Sequence, residues 1–474
     1  MTISNQDPEL NAGTVSEAEM AASSSAKDLH FSRAFMDALV AALQSGDGTK
    51  VHELLDVLHA ADVADIFETL SKSERRKLLA LLGDDLPADL LFELEGAAQD
   101  EVYENLPNDQ IADAVTELET DEAVYVIEEL DEQDRAEVLR ALAADDRAAI
   151  EESLGYPEDS AGRLMQRDLL ALPEFWQVGQ AIDYLRSAGD ELTEDFYDVF
   201  VVDPAHRPLG SIPLSRLLRV SRDKALKDIM SAEPPLVDVM ADQEDVAYQF
   251  KKYHLITAGV VDALGRLVGM VTVDDIVEVI EEEAQEDILA LAGVGDVSLN
   301  ESVGDITKTR FSWLAVNLAT AILASMVIGL FDATIEQMVA LAILMPIVAS
   351  MGGNAGTQTM TVAVRAMATK DLSPANTGRM VNREFWVALV NGVVLALISG
   401  TVAWAWFGSL PLGIVFATAM VFNMVVAGLS GILVPIGLAR VGVDPAVASS
   451  VFVTTITDAV GFFAFLGLAA MLLL

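Results

Sequence analysis

The sequence predicts a multidomain membrane protein. An all-α helical superhelix and an α/β pair of related units precede an all-α polytopic membrane domain with five spans. The first observation is a division of charge, because the 474 residues are 52% hydrophobic and yet carry a net charge of −44. Only five basic and six acidic residues follow Arg310, out of 29 and 73 in the chain. The other observations are two internal repeats before that point, with periods of 12 and 59 residues.

The composition excludes several classes of site and partner. A strongly acidic region repels nucleic acid and attracts cations, so no nucleic-acid partner is expected. The chain has no cysteine, which excludes disulfides and thiolate metal sites, and its five histidines are not paired at metal-ligand spacing. A metal ion would therefore meet oxygen ligands, which favours Mg²⁺, Ca²⁺ or Mn²⁺.

The first repeat lies in residues 31–155. The preceding residues 1–30 are polar and acidic, lack the apolar core of a signal peptide, and are expected to form a disordered tail. A leucine recurs at every twelfth residue from Leu58 to Leu154, with acidic or turn-forming residues between. This period fits one short helix plus a turn, with each leucine facing a shared core. Units this small cannot fold alone, so we expect them to stack as a compact helical superhelix.

The second repeat predicts two βαβ-type units, at residues 160–225 and 226–280. The matching positions are offset by 59 residues: Val201-Val202-Asp203 with Val260-Val261-Asp262, and Gly210 with Gly269. Leu164-Met165 and Ile229-Met230 are expected to open the two units. The pattern resembles a tandem pair of CBS domains, a regulatory module, and leaves the ligand undefined.

The membrane domain is predicted at residues 310–474. Five stretches there are long and apolar enough to cross a bilayer: 312–331, 338–362, 385–407, 412–438 and 446–473. Basic residues flank alternate connections: Lys308 and Arg310 before span 1, Arg365, Lys370, Arg379 and Arg383 between spans 2 and 3, and Arg440 between spans 4 and 5. The positive-inside rule then predicts a cytosolic N-terminal region and a C-terminus outside.

The second span contains helix-breaking residues. Pro346 cannot donate a helical hydrogen bond, and three glycines follow it closely: Gly352, Gly353 and Gly356. Irregular backbone survives at membrane depth only where it is buried in protein or lines water, so a broken helix is predicted here. The alternative is that the glycines permit close helix packing. That reading does not explain the polar residues in the same stretch: Asn354, Thr357 and Gln358.

The fifth span carries a lone carboxylate, Asp458, after three threonines: Thr454, Thr455 and Thr457. No Lys or Arg lies in this span, and a carboxylate in mid-membrane costs about 2.5–3.5 kcal/mol on insertion scales. A passing cation would explain that cost, and a single carboxylate among hydroxyls and amides suits an ion that keeps its water, as Mg²⁺ does. A protonated structural aspartate and a pathway for Na⁺ or H⁺ are the alternatives.

A strongly acidic segment, residues 275–308, connects the two parts of the chain. It is predicted to form a helix with like charges four residues apart: Glu278–Glu282, Glu282–Glu286 and Glu283–Asp287. A solvated acidic face is the ordinary explanation. Because the helix leads directly to span 1, divalent cations that relieve its repulsion would also act near the membrane domain.

Together these features resemble the MgtE family of magnesium channels over about residues 50–474. The most specific stretches are Pro346 to Gln358, Val443-Asp444-Pro445-Ala446 and Thr457-Asp458-Ala459-Val460-Gly461. The resemblance implies a homodimer in the lipid bilayer, with a helical N domain, a CBS pair, an acidic plug helix and five spans. It implies a transport protein and not an enzyme, with no catalytic residues.

The resemblance also implies site residues. Asp458 matches the selectivity carboxylate, and Gly353 and Asn354 match a broken pore-lining helix. The implied ligands of regulatory Mg²⁺ are Asp89, Asp121, Asp242, Glu244, Asp275, Glu278, Glu283, Glu286 and Asp287. Three positions depart from the family pattern, and they put some regulatory sites in doubt: Tyr125 and His254 replace acidic residues, and Arg163 replaces a glycine.

The function implied by the resemblance is a magnesium-selective channel of the plasma (inner) membrane. It would take up Mg²⁺ and be closed by cytosolic Mg²⁺ bound between the N domain, the CBS pair and the plug helix. The residues alone leave alternatives open: a secondary transporter coupled to Na⁺ or H⁺ at Asp458, a non-transporting cation sensor, and Mn²⁺ or Co²⁺ as the ion. They also leave open whether the CBS pair binds a nucleotide.

Overall fold

The computed structural model describes residues 31–188, 196–294, 303–373 and 375–473. The chain divides into two compact units, one formed by Met1–Val279 and Ser298–Asn300 and the other by Ile280–Val297 and Glu301–Leu474. The predicted tail and residues 295–302 of the predicted acidic segment lie outside the described residues.

The first unit begins with a series of short helices. Their bounds are α1 (Arg33–Ser45), α2 (Gly48–Leu55), α3 (Ala60–Thr69), α4 (Lys72–Leu82), α5 (Asp89–Glu93), α6 (Gly96–Asn105), α7 (Asn108–Glu117), α8 (Thr120–Glu129), α9 (Glu132–Ala141) and α10 (Ala144–Ser153). From α3 onward, each helix ends at or directly before one of the periodic leucines. The prediction of one short helix per twelve-residue period is confirmed, with α5 shortened by the 3₁₀ turn Gly83–Asp85 before it.

The periodic leucines hold these helices together. All nine belong to one apolar core, in which Leu94 is fully buried and Leu58, Leu106 and Leu154 are partly buried. From Leu70 onward each lies at or directly after the end of its helix, so the next helix starts from an anchored point. The shared core therefore fixes the spacing of the acidic residues that occupy the intervening helix starts.

Two small sheets follow, each with short helices. Their elements are α11 (Ala161–Leu164), β1 (Ala171–Pro173), α12 (Val178–Ala188), β2 (Asp198–Val202), β3 (Pro208–Pro213), α13 (Leu214–Leu217), α14 (Leu226–Ile229), β4 (Leu236–Asp238), α15 (Gln243–Tyr253), β5 (Thr257–Val261) and β6 (Leu267–Thr272). The strand orders are β1-β2-β3 and β4-β5-β6, with the first pair parallel and the second antiparallel in both. Both sheets shift register at the equivalent place, Val201/Val202 and Val260/Val261, which confirms the 59-residue repeat.

The segments predicted to open the two units lie against the opposite sheet. Gln166 forms a bridge with Met270 of the second sheet, and Ser231 forms one with Ser211 of the first. A Cβ atom at Gly269 would lie 2.6 Å from Met165 Sδ, so only glycine admits this crossing. Each opening segment therefore pairs with the sheet of the other unit, a contact that sequence order does not show.

The second unit contains the apolar helices. After α16 (Val273–Ala292), within which the two units divide, come α17 (Val303–Gly329), α18 (Asp332–Gln337), α19 (Ala340–Ala368), α20 (Thr377–Phe407), α21 (Leu410–Arg440) and α22 (Pro445–Leu472). Among the described residues, five helices are long and apolar enough to cross a membrane: α17, α19, α20, α21 and α22. The predicted number of spans is confirmed, although α19 and α20 extend further toward their common turn than predicted.

The prediction of a broken second span is wrong. Helix α19 is continuous through Pro346, and none of its glycines has a positive φ. Pro346 removes only the hydrogen bond to the Ala342 carbonyl, and the rest of the helix holds. The glycines instead permit close packing, since a Cβ atom at Gly431 of α21 would lie 2.6 Å from the Gly356 carbonyl oxygen.

Replacement of a buried periodic leucine is expected to destabilise the helical domain. Leu94→Ala should cost about 2–5 kcal/mol, because the site is fully enclosed and would keep a cavity. Leu58→Ala, at a partly buried position of the same repeat, should cost less. Urea denaturation of the full chain, followed by proteolysis of the helical domain, measures both. Equal losses for the two variants would contradict the shared-core description.

Candidate ion pathway and acidic clusters

Asp458 lies in α22 and is partly buried. Within the described ranges, no hydrogen bond or ion pair reaches its carboxylate. The neighbouring hydroxyls are engaged elsewhere: Thr454 donates to the Ser450 carbonyl (2.8 Å), Thr455 to Val451 (2.6 Å) and Thr457 to Thr454 (2.9 Å). Each of these hydroxyls donates to a carbonyl of its own helix and not to Asp458. The Asp458 carboxylate is therefore available to a cation from outside the chain.

Helix α19 carries a polar stripe at the same level. Its exposed members follow helical spacing: Asn354, Thr357, Gln358 and Thr361. Gly356, on the other side of the helix, packs on α22, since an added Cβ atom would lie 2.6 Å from Val453 Cγ1 and 3.5 Å from Thr457 Cγ2. Thr457 directly precedes Asp458, so the stripe and the carboxylate stand at one depth. Gly353 borders open space.

A residue that the sequence reasoning missed holds these two helices in place. Asn423 of α21 is fully buried, and its Nδ2 donates to the Val348 carbonyl of α19 (2.8 Å). A Cβ atom at Gly461 of α22 would lie 2.8 Å from the same amide nitrogen. Asn423 thus lies between α19 and α22. A single asparagine in an apolar span gives no signal of this position in the sequence.

The end of the acidic helix packs on the same two helices. Ala290 of α16 shares a buried apolar cluster with Met360 and Val364 of α19 and with Ala446 and Val453 of α22. The part of α16 that belongs to the second unit therefore ends against both walls of the candidate pathway. Movement of this helix end would change the packing of the residues next to the polar stripe.

A group of carboxylates lies beside that contact. Burial raises the pKa of Asp287, and the charges of Asp444 and Glu283 raise it further. Asp444 caps the start of α22 by accepting a hydrogen bond from the Ala446 amide (2.8 Å). The sequence reasoning assigned Asp287 and Glu283 to one helix but did not connect them with Asp444, which is distant in sequence. We call Glu283, Asp287 and Asp444 the plug cluster.

A second group of carboxylates forms within the first unit. Helix α8 starts with a capping box in which Glu122 accepts a hydrogen bond from the Glu119 amide (3.1 Å), and Asp121 lies between them. Asp275 is fixed at the start of α16 by the amide (3.1 Å) and hydroxyl (2.7 Å) of Thr272. We call Glu119, Asp121, Glu122 and Asp275 the interface cluster, because it joins the helical domain to the second sheet's helix.

The interface cluster is short of positive charge. Burial is the largest cause that raises the pKa of Asp121 well above its usual range, followed by the charge of Asp275. Burial, Glu122 and Asp275 raise the pKa of Glu119 to about 7. The charge of Asp275 thus disfavours the ionised form of Asp121, and a divalent cation at this place would offset that repulsion.

The donor set of this cluster fits a hydrated Mg²⁺ ion. Among the described residues, no three His, Cys, Asp or Glu side chains converge closely enough to form a complete metal site. However, the buried Oδ1 of Asp121 has no hydrogen-bond partner in the described part of the chain. Mg²⁺ usually takes one or two carboxylates and keeps several waters. Asp121 and Asp275 are the residues that would hold it.

The other predicted regulatory residues have varied positions. Asp89 is exposed at the start of α5, and its charge contributes to the raised pKa of Glu122. Asp242 caps α15 by accepting a hydrogen bond from the Glu244 amide (2.9 Å), so both residues have a local role at the start of this helix. Glu278 and Glu286 are exposed on α16. None of these five residues belongs to the interface cluster or the plug cluster as defined above.

The three departures from the family pattern have structural roles. Arg163 donates a hydrogen bond to Glu128 of α8 (3.0 Å). It therefore places a fixed positive charge between the helical domain and the sheets. The Tyr125 ring packs edge-on against Phe92, with 5.4 Å between centroids. His254 ends α15 in the left-handed conformation with φ of 54°.

Family profiles match three parts of the chain: a divalent cation transporter profile at residues 345–468, an MgtE intracellular N domain profile at 58–159, and a CBS domain profile at 226–282. The magnesium transporter MgtE of Thermus thermophilus is 33% identical over 449 residues, which cover 91% of this chain and 97% of that protein. The chain belongs to the MgtE family.

The chain is also similar to a second relative and to a solved structure. The magnesium transporter MgtE of Enterococcus faecalis is 34% identical over 322 residues, covering 68% of this chain and 71% of that protein. A crystal structure described as the cytosolic domain of the Mg²⁺ channel MgtE in complex with ATP is 31% identical. It covers 52% of this chain and 99% of its own, with a TM-score of 0.48.

Without divalent cations, rising pH is expected to loosen the interface cluster. The pKa of Glu119 is raised from 4.5 to about 7, so its contribution to folding is complete below the lower value and is lost as pH passes through the higher one. Hydrogen exchange of α8 in EDTA, between about pH 5 and about pH 8, should show increasing opening.

Asp121→Asn should flatten this pH dependence, because it removes the buried ionisable group next to Asp275. Asp113→Asn, at an exposed position of α7, is the matched control and should keep the slope. A flat profile in the unmodified chain would show that the cluster does not store protons.

Proposed function

We propose that the chain is a Mg²⁺ channel in which the ion passes Asp458 along the polar stripe of α19. The observation that carries this proposal is a membrane-embedded carboxylate with no cation paired to it among the described residues, at the depth of a row of amides and hydroxyls on α19. Lipid gives such groups no partner, so an ion pathway is a better account of them than lipid contact. The relatives named as magnesium transporters support Mg²⁺ as the ion.

The chemistry of the wall suits a hydrated ion. Asp458 offers one negative charge, and the stripe offers amide and hydroxyl oxygens in place of further carboxylates. Mg²⁺ loses its water reluctantly, so a wall that hydrogen-bonds the hydration shell through neutral groups and attracts the charge through one carboxylate favours it. Ca²⁺ prefers six to eight direct oxygen ligands and would find fewer of them here.

We propose that a second copy of the chain supplies the facing wall. The stripe of α19 is exposed in one chain, although its amides and hydroxyls are costly to expose to lipid. Two copies related by a two-fold axis would present stripe to stripe and Asp458 to Asp458. Two carboxylates around one pathway would also match the charge of a divalent ion.

We propose that cytosolic Mg²⁺ closes the pathway by binding at the acidic clusters. Asp121 Oδ1 is buried without a hydrogen-bond partner among the described residues, and the carboxylates of the plug cluster repel one another. Both features favour a bound cation. The packing of Ala290 against α19 and α22 links the acidic helix to the pathway walls. Mg²⁺ needs only to bind the closed state better than the open state for this feedback to work. The basic residues of the predicted cytosolic connections support the orientation.

Asp458→Asn is expected to abolish Mg²⁺ flux into proteoliposomes, because the amide keeps the size of the side chain and removes the charge. Asp332→Asn, at the exposed first position of α18, is the control and should keep the flux. Flux that persists in Asp458→Asn would contradict the pathway. Flux that follows an imposed Na⁺ or proton gradient would favour a coupled transporter instead.

Neutralising the acidic helix is expected to weaken closure by Mg²⁺. The combined change Glu278→Gln, Glu283→Gln, Glu286→Gln and Asp287→Asn should raise the Mg²⁺ concentration that protects the cytosolic region from protease and stops flux. A control with equal charge change uses exposed acids of the helical domain: Asp37, Asp113, Glu117 and Glu132. An equal shift in both variants would mean that net charge, and not this helix, sets the response.

A further inference from the structure

A cavity separate from the ion pathway lies where α19 and α20 meet their common turn. Its volume is about 360 Å³. The lining residues used below are Val362, Asp371, Asn376, Arg379, Met380 and Arg383. Two guanidinium groups and one carboxylate thus face an otherwise apolar space at the end of two membrane-spanning helices.

The cationic side chains of this cavity are only partly neutralised. Arg379 is exposed and has no side-chain hydrogen bond or ion pair within the described ranges. Arg383 gives its Nε (3.2 Å) and Nη2 (3.1 Å) to a single oxygen of the adjacent Glu384, and 61% of its side chain is exposed. The carboxylate of Asp371 accepts from the Thr369 hydroxyl (2.8 Å). The lining side chains therefore sum to one positive charge, which Glu384 offsets through its pairing with Arg383, and both guanidinium groups keep N–H donors without a hydrogen bond in the described part of the chain.

The loop that closes the cavity is held in shape. The Asn376 side chain accepts a hydrogen bond from the Ser373 amide (2.9 Å) and donates one to the Asp371 carbonyl (2.7 Å). These bonds fix the turn between the two helices in front of Arg379. A ligand would meet a preformed site and not a flexible connection.

The same face of α20 continues as an apolar strip. Trp386, Val390, Val394 and Leu397 follow Arg379 and Arg383 at intervals of three or four residues, and all are exposed. From Arg383 to Leu397 the strip runs for about 20 Å, at 1.5 Å per residue. One membrane leaflet has a hydrocarbon depth of about 15 Å, and tryptophan favours the level of the headgroups. The arginines and the tryptophan thus lie at the level of a lipid headgroup, and the apolar strip follows at the depth of the acyl chains.

We propose that this cavity binds the phosphodiester of an anionic phospholipid with a hydroxyl-bearing headgroup. Arg379 and Arg383 match a phosphate through paired N–H donors, and Asp371 can accept from a headgroup hydroxyl. Val362 and Met380 border the start of an acyl chain that continues along the strip. The site lies between α19 and α20, and α20, which does not carry the polar stripe, packs on α21 at Gly392, Gly400 and Gly428.

The test is native mass spectrometry of the delipidated full chain in detergent, titrated with phosphatidylglycerol. Arg379→Gln/Arg383→Gln should weaken binding of the lipid about thirtyfold, since each interfacial arginine contributes roughly 1 kcal/mol. Phosphatidylcholine, which has a phosphate but no net negative charge, should bind the unmodified chain more weakly. Inorganic phosphate should not displace the lipid at equal concentration, because it lacks the acyl contacts.

The matched control is Arg365→Gln/Arg440→Gln. It removes the same charge from two exposed arginines that do not line the cavity, and it should change retention by less than about twofold. Equal loss of lipid retention in both variants would mean that overall positive charge, and not the cavity, binds the lipid, and would contradict the proposed site. Displacement by inorganic phosphate would make it a free-anion site and overturn the lipid assignment.

Two further outcomes also decide the proposal. A cavity variant that shifts the ratio of monomer to dimer at constant lipid content would show that a second copy, and not lipid, covers this face. If the double variant does not fold, Arg379→Gln alone tests the same site. It changes an exposed side chain without a partner in the described chain, and unchanged lipid affinity would again contradict the proposal.

Discussion

The structure depends on negative charge that the chain itself does not neutralise. Asp458 stands in an apolar helix with no cation beside it, and Asp121 has a buried oxygen without a partner among the described residues. Burying an unpaired carboxylate is costly, so each site needs a proton or a cation from solution. Such carboxylates lie both among the apolar helices and in the helical domain, and the proposed function assigns a cation to each place.

These two places are joined by helix α16. Its start holds Asp275 in the interface cluster, and its end contributes Ala290 to the apolar packing of α19 and α22. The intervening residues carry the acidic face, including Asp287 beside Asp444. Helix α16 therefore contributes both to the carboxylates proposed to bind cytosolic ions and to the packing of the helices proposed to carry the ion.

Much of this architecture could be predicted from sequence. The twelve-residue leucine period, the 59-residue repeat and the five apolar stretches all have physical causes that act locally. The prediction of a broken second span was wrong because Pro346 and the glycines give the same sequence pattern in two cases. They occur both where a helix breaks and where neighbouring helices pack closely. The partners of the carboxylates were also out of reach. Glu119 and Asp275 lie far apart in sequence, as do Asp287 and Asp444, and nothing local signals that folding brings them together.

The account separates conduction from closure, and single-channel recording in planar bilayers tests that separation most directly. It predicts that Asp121→Asn leaves the unit conductance for Mg²⁺ unchanged and raises the cytosolic Mg²⁺ concentration that halves the open probability. Asp458→Asn should remove the unit conductance. The account would be contradicted if Asp121→Asn altered the unit conductance, or if Asp458→Asn conducted Mg²⁺ normally and changed only the open probability.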